Sequence, residues 1–118
     1  MYKTREINFA PKELKKYGCK LICYIVENCG QFRVPECPYG EYYYLEWIFV
    51  PEEFRSSGIG RDLLLECIRL AEYFDMEYIV LDAVSDDVVQ WYSRYDFHKS
   101  ECSVGDQVIM YKEIVNAS

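Results

Sequence analysis

The chain has 118 residues, 51% of them apolar, and a formal net charge of −7 from 20 acidic and 13 basic side chains. That length suits one domain around one core, and only four prolines and six glycines argue against a fibrous or disordered chain. The acidic balance argues against a nucleic-acid surface, because phosphate backbones are bound by Lys and Arg, and favours cationic ligands such as a protonated amine.

No apolar run is long enough to span a bilayer, so no membrane partner is expected. The first residues, Met1 to Glu6, lack the apolar core of a secretion signal, and a cytoplasmic location is expected. The six cysteines are Cys19, Cys23, Cys29, Cys37, Cys67 and Cys102. In a reducing compartment they are expected to be free thiols. A zinc site from the first four would need irregular spacings, and no CxxC pair occurs, so no metal is expected.

In chain order, Tyr2–Phe9 reads as a short strand. Pro11 opens a helix through Glu13, Leu14 and Lys16 that Gly18 closes. Lys20–Glu27 has the β-branched and aromatic bias of a strand. Asn28-Cys29-Gly30 is a turn signal, and Gln31–Val34 a short returning strand stopped by Pro35 and Pro38. Glu41–Val50 is a long strand, apolar on both faces and therefore expected at the centre of a sheet. Pro51 ends it. Arg61–Phe74 is an amphipathic helix with Leu64, Cys67, Ile68, Ala71 and Phe74 at helical spacing. Tyr78–Val84 is a second buried strand. Asp86 or Asp87 caps a helix that runs through Tyr95. Phe97–Cys102 and Gln107–Glu113 form an antiparallel pair around Gly105-Asp106. This order predicts a single α/β (α+β) domain over residues 1–118 with a mixed sheet.

The chemistry centres on Arg55-Ser56-Ser57-Gly58-Ile59-Gly60, between a buried strand and a helix. A helix N-terminus presents amide N–H groups without partners, which bind anions. Gly58 and Gly60 lack a β-carbon and let a phosphate approach the backbone. Ser56 and Ser57 add hydroxyls. No Gly-Lys-Ser/Thr follows and a third glycine is absent, so neither a Walker loop nor a dinucleotide fingerprint fits. A glycine pair here can also simply make a turn.

This segment resembles the coenzyme signature of the GNAT superfamily of N-acetyltransferases, Arg/Gln-x-x-Gly-x-Gly/Ala, with Ser56 where the family often has glycine. A second resemblance runs from Ser85 to Phe97. There Val88, Trp91, Tyr92 and Phe97 fall in register with Asn-x-x-Ala-x-x-Phe-Tyr-x-x-x-Gly-Phe. Ser85 replaces the usual Asn, and Asp96 the usual Gly, a position that Asp fills in a left-handed turn better than most residues. Together the two motifs cover roughly residues 41–113.

The resemblance implies a mostly antiparallel central sheet flanked by helices, with a splay between two parallel strands, Glu41–Val50 and Tyr78–Val84. It implies acetyl-CoA as co-substrate and an amine as acceptor, either a small cation or an amine of a protein or peptide. Backbone groups of Ile48, Phe49 and Val50 would hold the pantetheine arm. N–H groups from Arg55 to Gly60, including Ile59, would hold the diphosphate, and Ser85 would contact the coenzyme in place of Asn. Tyr92 matches the family's general acid. Glu46, in an otherwise apolar strand where burial raises a carboxyl's pKa, is the candidate base. Tyr42, Tyr43, Tyr44 and Trp47 are aromatic candidates for the acceptor side. Each of these side chains could equally be core filling or ion pairing. Two rival readings stand: a non-catalytic acyl-CoA-binding or protein-interaction module on the same fold, and a metal-binding regulatory domain built on the N-terminal cysteines. Homodimer formation stays open.

Overall fold

Segments rich in β-branched and aromatic residues form the sheet, and the two stretches of helical periodicity pack on it. The computed structural model describes residues 4–8, 18–27, 34–37, 41–56, 58–101 and 108–114, with 4–8 and Glu27 as backbone alone. The strands are β1 (Thr4–Asn8), β2 (Lys20–Glu27), β3 (Glu41–Phe49), β4 (Tyr78–Ala83), β5 (His98–Lys99) and β6 (Val108–Glu113). The helices are α1 (Ile59–Tyr73) and α2 (Asp86–Ser93), and a 3-10 turn spans Glu52–Phe54. Among the described residues these form one six-stranded sheet in the order β1-β2-β3-β4-β6-β5. Every neighbouring pair is antiparallel except β3 with β4. The expected mixed, mostly antiparallel α/β sheet is therefore present.

The two central ladders run to different lengths. β3 follows β2 from Glu41 to Phe49, and β4 follows β6 from Tyr78 to Ala83. Between β3 and β4 the rungs are only Tyr43↔Ile79 and Tyr44↔Val80. Beyond them the parallel strands part.

β3 carries a β-bulge that its sequence alternation does not reveal. Ile22 faces Trp47 and Cys23 faces Leu45, which leaves Glu46 as the extra residue. One added residue reverses the alternation. Tyr43 and Leu45 lie in the main core, and beyond the bulge Ile48 and Val50, not Trp47 and Phe49, pack against it.

That core lies under α1 and α2. Helix α1 contributes Leu63, Leu64, Cys67, Leu70 and Ala71, each fully or almost fully buried. The stripe is rotated from the expected one, with Ile68 and Phe74 only half-buried at its edge. Burying one such leucine contributes about 1.5–3 kcal/mol. The opposite face holds a smaller cluster of Val26, Val34, Cys37, Tyr42 and Val80.

Helix ends explain most boundary differences. α1 begins at Ile59, two residues before the expected start, because Gly58 adopts φ 87° and serves as its N-cap. It ends in a left-handed turn at Asp75, where the Met76 N–H donates to Ala71 and the Asp75 N–H to Glu72. α2 is capped by Ser85 rather than Asp86 or Asp87, its Oγ accepting from the Val88 N–H at 3.3 Å. The expected final strand pair is reduced on its first side to His98–Lys99. The expected 11–18 helix, apart from Gly18, lies outside the described residues, as do the turn at Asn28–Gly30, residues 31–33 of the returning strand, and Gly105-Asp106. Val34 itself is a buried turn residue, its carbonyl accepting from the Cys37 N–H at 2.9 Å.

Candidate active site

A cleft of about 980 Å³ opens where β3 leaves β4. β3 and its end supply Trp47, Ile48, Phe49 and Val50. The following loop and the start of α1 supply Arg55, Ser56, Gly58, Gly60 and Arg61. Helix α2 supplies Asp87, Val88, Trp91 and Tyr92, and the turn after it supplies Tyr95.

The loop is folded by its own hydrogen bonds. Pro51 starts the 3-10 turn, with the Phe54 N–H donating to Pro51 at 2.9 Å and the Arg55 N–H to Glu52 at 3.2 Å. Arg55 Nε donates to the Val50 carbonyl at 3.0 Å, tying the loop back to the strand end. Ser56 sits at φ 67° and Gly58 at φ 87°. The first helical bond of α1 runs from the Asp62 N–H to Gly58, 3.1 Å. The amides of Ile59, Gly60 and Arg61 therefore precede the helix's own ladder and bear its positive end.

This arrangement fits an anionic ligand. A β-carbon built on Gly58 would meet nothing within 4 Å, so the space before it is open. Arg55 and Arg61 line the same cleft. At Gly60 a β-carbon would lie 3.7 Å from the Trp91 ring, an ordinary contact, so Gly60 marks the approach of α1 to α2.

Tyr92 faces the cleft from α2 and is half-buried. Burial pushes its phenol well above the usual range, and the thiols of Cys67 and Cys23 push it further. Its ring is clamped by Trp91 at 4.9 Å and Phe97 at 5.3 Å. The Phe97 contact follows from the end of the helix. Asp96 takes φ 65°, as expected of Asp in place of Gly, and the Phe97 N–H folds back to the Tyr92 carbonyl at 3.4 Å.

The candidate residues divide clearly. Ile48, Phe49, Val50, Arg55, Ser56, Gly58, Gly60 and Tyr92 come together around the cleft. Ile59 joins them through its amide alone, since its side chain packs on the core. The Arg55 amide is spent on Glu52. Ser85 stands outside the cleft lining and uses its hydroxyl as a helix cap. Ser57 lies outside the described residues. Glu46, expected to be buried, is instead exposed, because the bulge turns it out of the alternation. Tyr42 and Tyr43 are core residues on opposite faces rather than acceptor-side aromatics. Trp47 does line the cleft, with the Lys20 ammonium 5.2 Å from its ring centre.

Arg61, Asp87, Val88, Trp91 and Tyr95 were not singled out from sequence as cleft residues. The signal was available for the α2 set, since 87, 88 and 91 lie on one helical face with Tyr92. Among the described residues no group of three or more His, Cys, Asp or Glu side chains is placed to hold a metal ion. Cys19, Cys23, Cys37 and Cys67 are buried and in no disulfide.

The model of the acetyltransferase (GNAT) family matches residues 9–97. The chain belongs to that family. Membership makes acyl transfer from an acyl-CoA its general chemistry. No curated protein matches the sequence. Solved GNAT-fold structures do. An acetyltransferase from Bacillus cereus superposes with a TM-score of 0.64 at 16% identity, over 95% of this chain and 74% of that one. A chain of the NatC complex bound to Gag peptide and CoA gives 0.63 at 13%, over 82% of this chain and 61% of that one. Ard1 from Thermoplasma volcanium gives 0.58 at 14%, over 95% and 98%. At these identities the likeness shows the GNAT fold.

Proposed function

We propose that this GNAT protein moves an acetyl group from acetyl-CoA to a primary amine, either a small cationic amine or an amine of a protein or peptide, with both substrates bound at once. The observation that carries this reading is the parting of β3 and β4 beside a cleft that ends at the exposed amides of α1. Bound acetyl-CoA supplies the activated acyl thioester.

The chain's own residues then have distinct tasks. Backbone groups of Ile48, Phe49 and Val50, free of β4, orient the extended arm. The amides of Ile59, Gly60 and Arg61, with the Arg55 and Arg61 guanidiniums and the Ser56 hydroxyl, bind the diphosphate. Tyr92 Oη keeps its proton at neutral pH and gives it to the departing sulfur. Glu46 takes the amine's proton, directly or through a water. The net charge of −7 on the chain as a whole favours a cationic acceptor. The reaction takes place in the cytoplasm and needs neither nucleic acid nor metal.

Thiol release from acetyl-CoA with a panel of amines and peptides, followed by mass spectrometry of the products, tests this reading. Tyr92→Phe should lower kcat about a hundredfold while coenzyme affinity holds; an unchanged kcat would remove Tyr92 from the chemistry. Glu46→Gln should alter the pH–rate profile, and an unaltered profile would remove Glu46. The exposure of Glu46 and the use of Ser85 as a cap favour one second reading, a non-catalytic acyl-CoA-binding or interaction module. Coenzyme binding without turnover on any amine of the panel would select it.

A further inference from the structure

The point where β3 and β4 part carries a device that the reaction itself does not require. The last backbone rung is Tyr44↔Val80. Two residues further along β4, Asp82 accepts a hydrogen bond at Oδ2 from Tyr44 Oη, 2.7 Å long and across 38 positions of sequence. It is a side-chain link placed just beyond the last main-chain link. Asp82 is also out of character for its strand, Tyr-Ile-Val-Leu-Asp-Ala, since Asp is depleted in strand interiors. A half-buried carboxylate there needs a donor.

Tyr44 is held so that it can be that donor. Its ring packs on the smaller cluster around Val80 and Tyr42. Burial, and then the bond to Asp82, keep its phenol protonated far above neutral pH. A hydrogen bond to a carboxylate is shorter and stronger than a neutral one. Further main-chain rungs would close the opening, and no link at all would let the strands drift apart. A single bond of fixed length does neither.

We propose that Tyr44 and Asp82 are positioning residues, a pin that fixes where β3 and β4 separate and how wide the opening stands. This rests on the reading that the opening receives the thioester arm, but the pin itself is testable in the free protein. The experiment is amide hydrogen exchange without ligand, paired with calorimetric titration of coenzyme A, on wild type, Tyr44→Phe and Asp82→Asn.

In Tyr44→Phe, exchange at residues 43–49 and 79–83 should accelerate about tenfold while the β1–β2 and β5–β6 ladders keep their rates. Coenzyme A should bind about tenfold more weakly. Asp82→Asn keeps an acceptor oxygen for the phenol and should preserve both properties. Unchanged exchange in Tyr44→Phe, acceleration spread evenly over all ladders, or an Asp82→Asn variant as impaired as Tyr44→Phe would overturn the pin. So would unchanged coenzyme affinity in Tyr44→Phe beside a wild type that binds. A wild type that ignores coenzyme A, with the local exchange effect intact, would support the pin and overturn the acetyltransferase reading instead.

Discussion

Tyr43 illustrates how a single buried atom sets a stability difference. Its buried hydroxyl meets no oxygen or nitrogen partner among the described residues and has only a weak contact with the Cys23 thiol, whose sulfur is 3.7 Å from that of Cys67. An unsatisfied buried hydroxyl costs on the order of 1–3 kcal/mol. Tyr43→Phe should therefore raise stability by about 1 kcal/mol, read as a higher urea midpoint at unchanged slope. A lower midpoint would mean that the thiols satisfy the hydroxyl after all. The two loop glycines differ in the same concrete way. Gly58 needs its positive φ and faces empty space, so Gly58→Ala should cost about 1–2 kcal/mol through the backbone alone. Gly60 lies within α1 and has room for a methyl 3.7 Å from Trp91, so Gly60→Ala should raise the urea midpoint, by about 0.4–1 kcal/mol of stability.

The elements show how far patterning reaches. β2, β3, β4 and α1 were legible because each has a long run of one periodicity, and their bounds shift by no more than two residues. The β3 bulge was not legible, since Glu46 between Leu45 and Trp47 reads as ordinary alternation and only the pairing with β2 exposes the extra residue. This is why the expected buried base came out on the surface. The helix expected to run through Tyr95 stops at Ser93, but the turn after it was legible through the motif register: Asp96 in the left-handed position turns Phe97 back onto Tyr92. Asp96→Gly should stabilise the protein by about 1 kcal/mol, because glycine removes the β-carbon penalty there. Asp96→Val should destabilise it and lower kcat with Tyr92 unclamped. Equal melting temperatures for the two variants would contradict this account of the helix end.

At the scale of the whole molecule, the aromatic-rich core ties stability to alkaline pH. The phenols of Tyr43, Tyr44 and Tyr92 are all pushed above the usual range, by burial first in each case. Below about pH 10 both folded and unfolded phenols hold their protons, and this contribution is fully present. Above it the unfolded chain releases protons that the folded chain retains, so stability falls with rising pH, by at most about 1.4 kcal/mol per unit for each phenol. Denaturation midpoints followed from pH 8 to 11 should stay level and then decline, and a level profile throughout would mean that these phenols titrate normally. The family and the placement of the cleft were legible from two motifs. The identity of the acceptor was not, because no motif quoted from the sequence specifies the amine and the expected 11–18 helix lies largely outside the described residues. The central claim concerns the cleft between the parted strands and the first turn of α1, and calorimetric titration with acetyl-CoA tests it most directly. One saturable site per chain in the wild type, weakened in Gly58→Val, is the expected result; no binding, or equal binding by the two proteins, would contradict it.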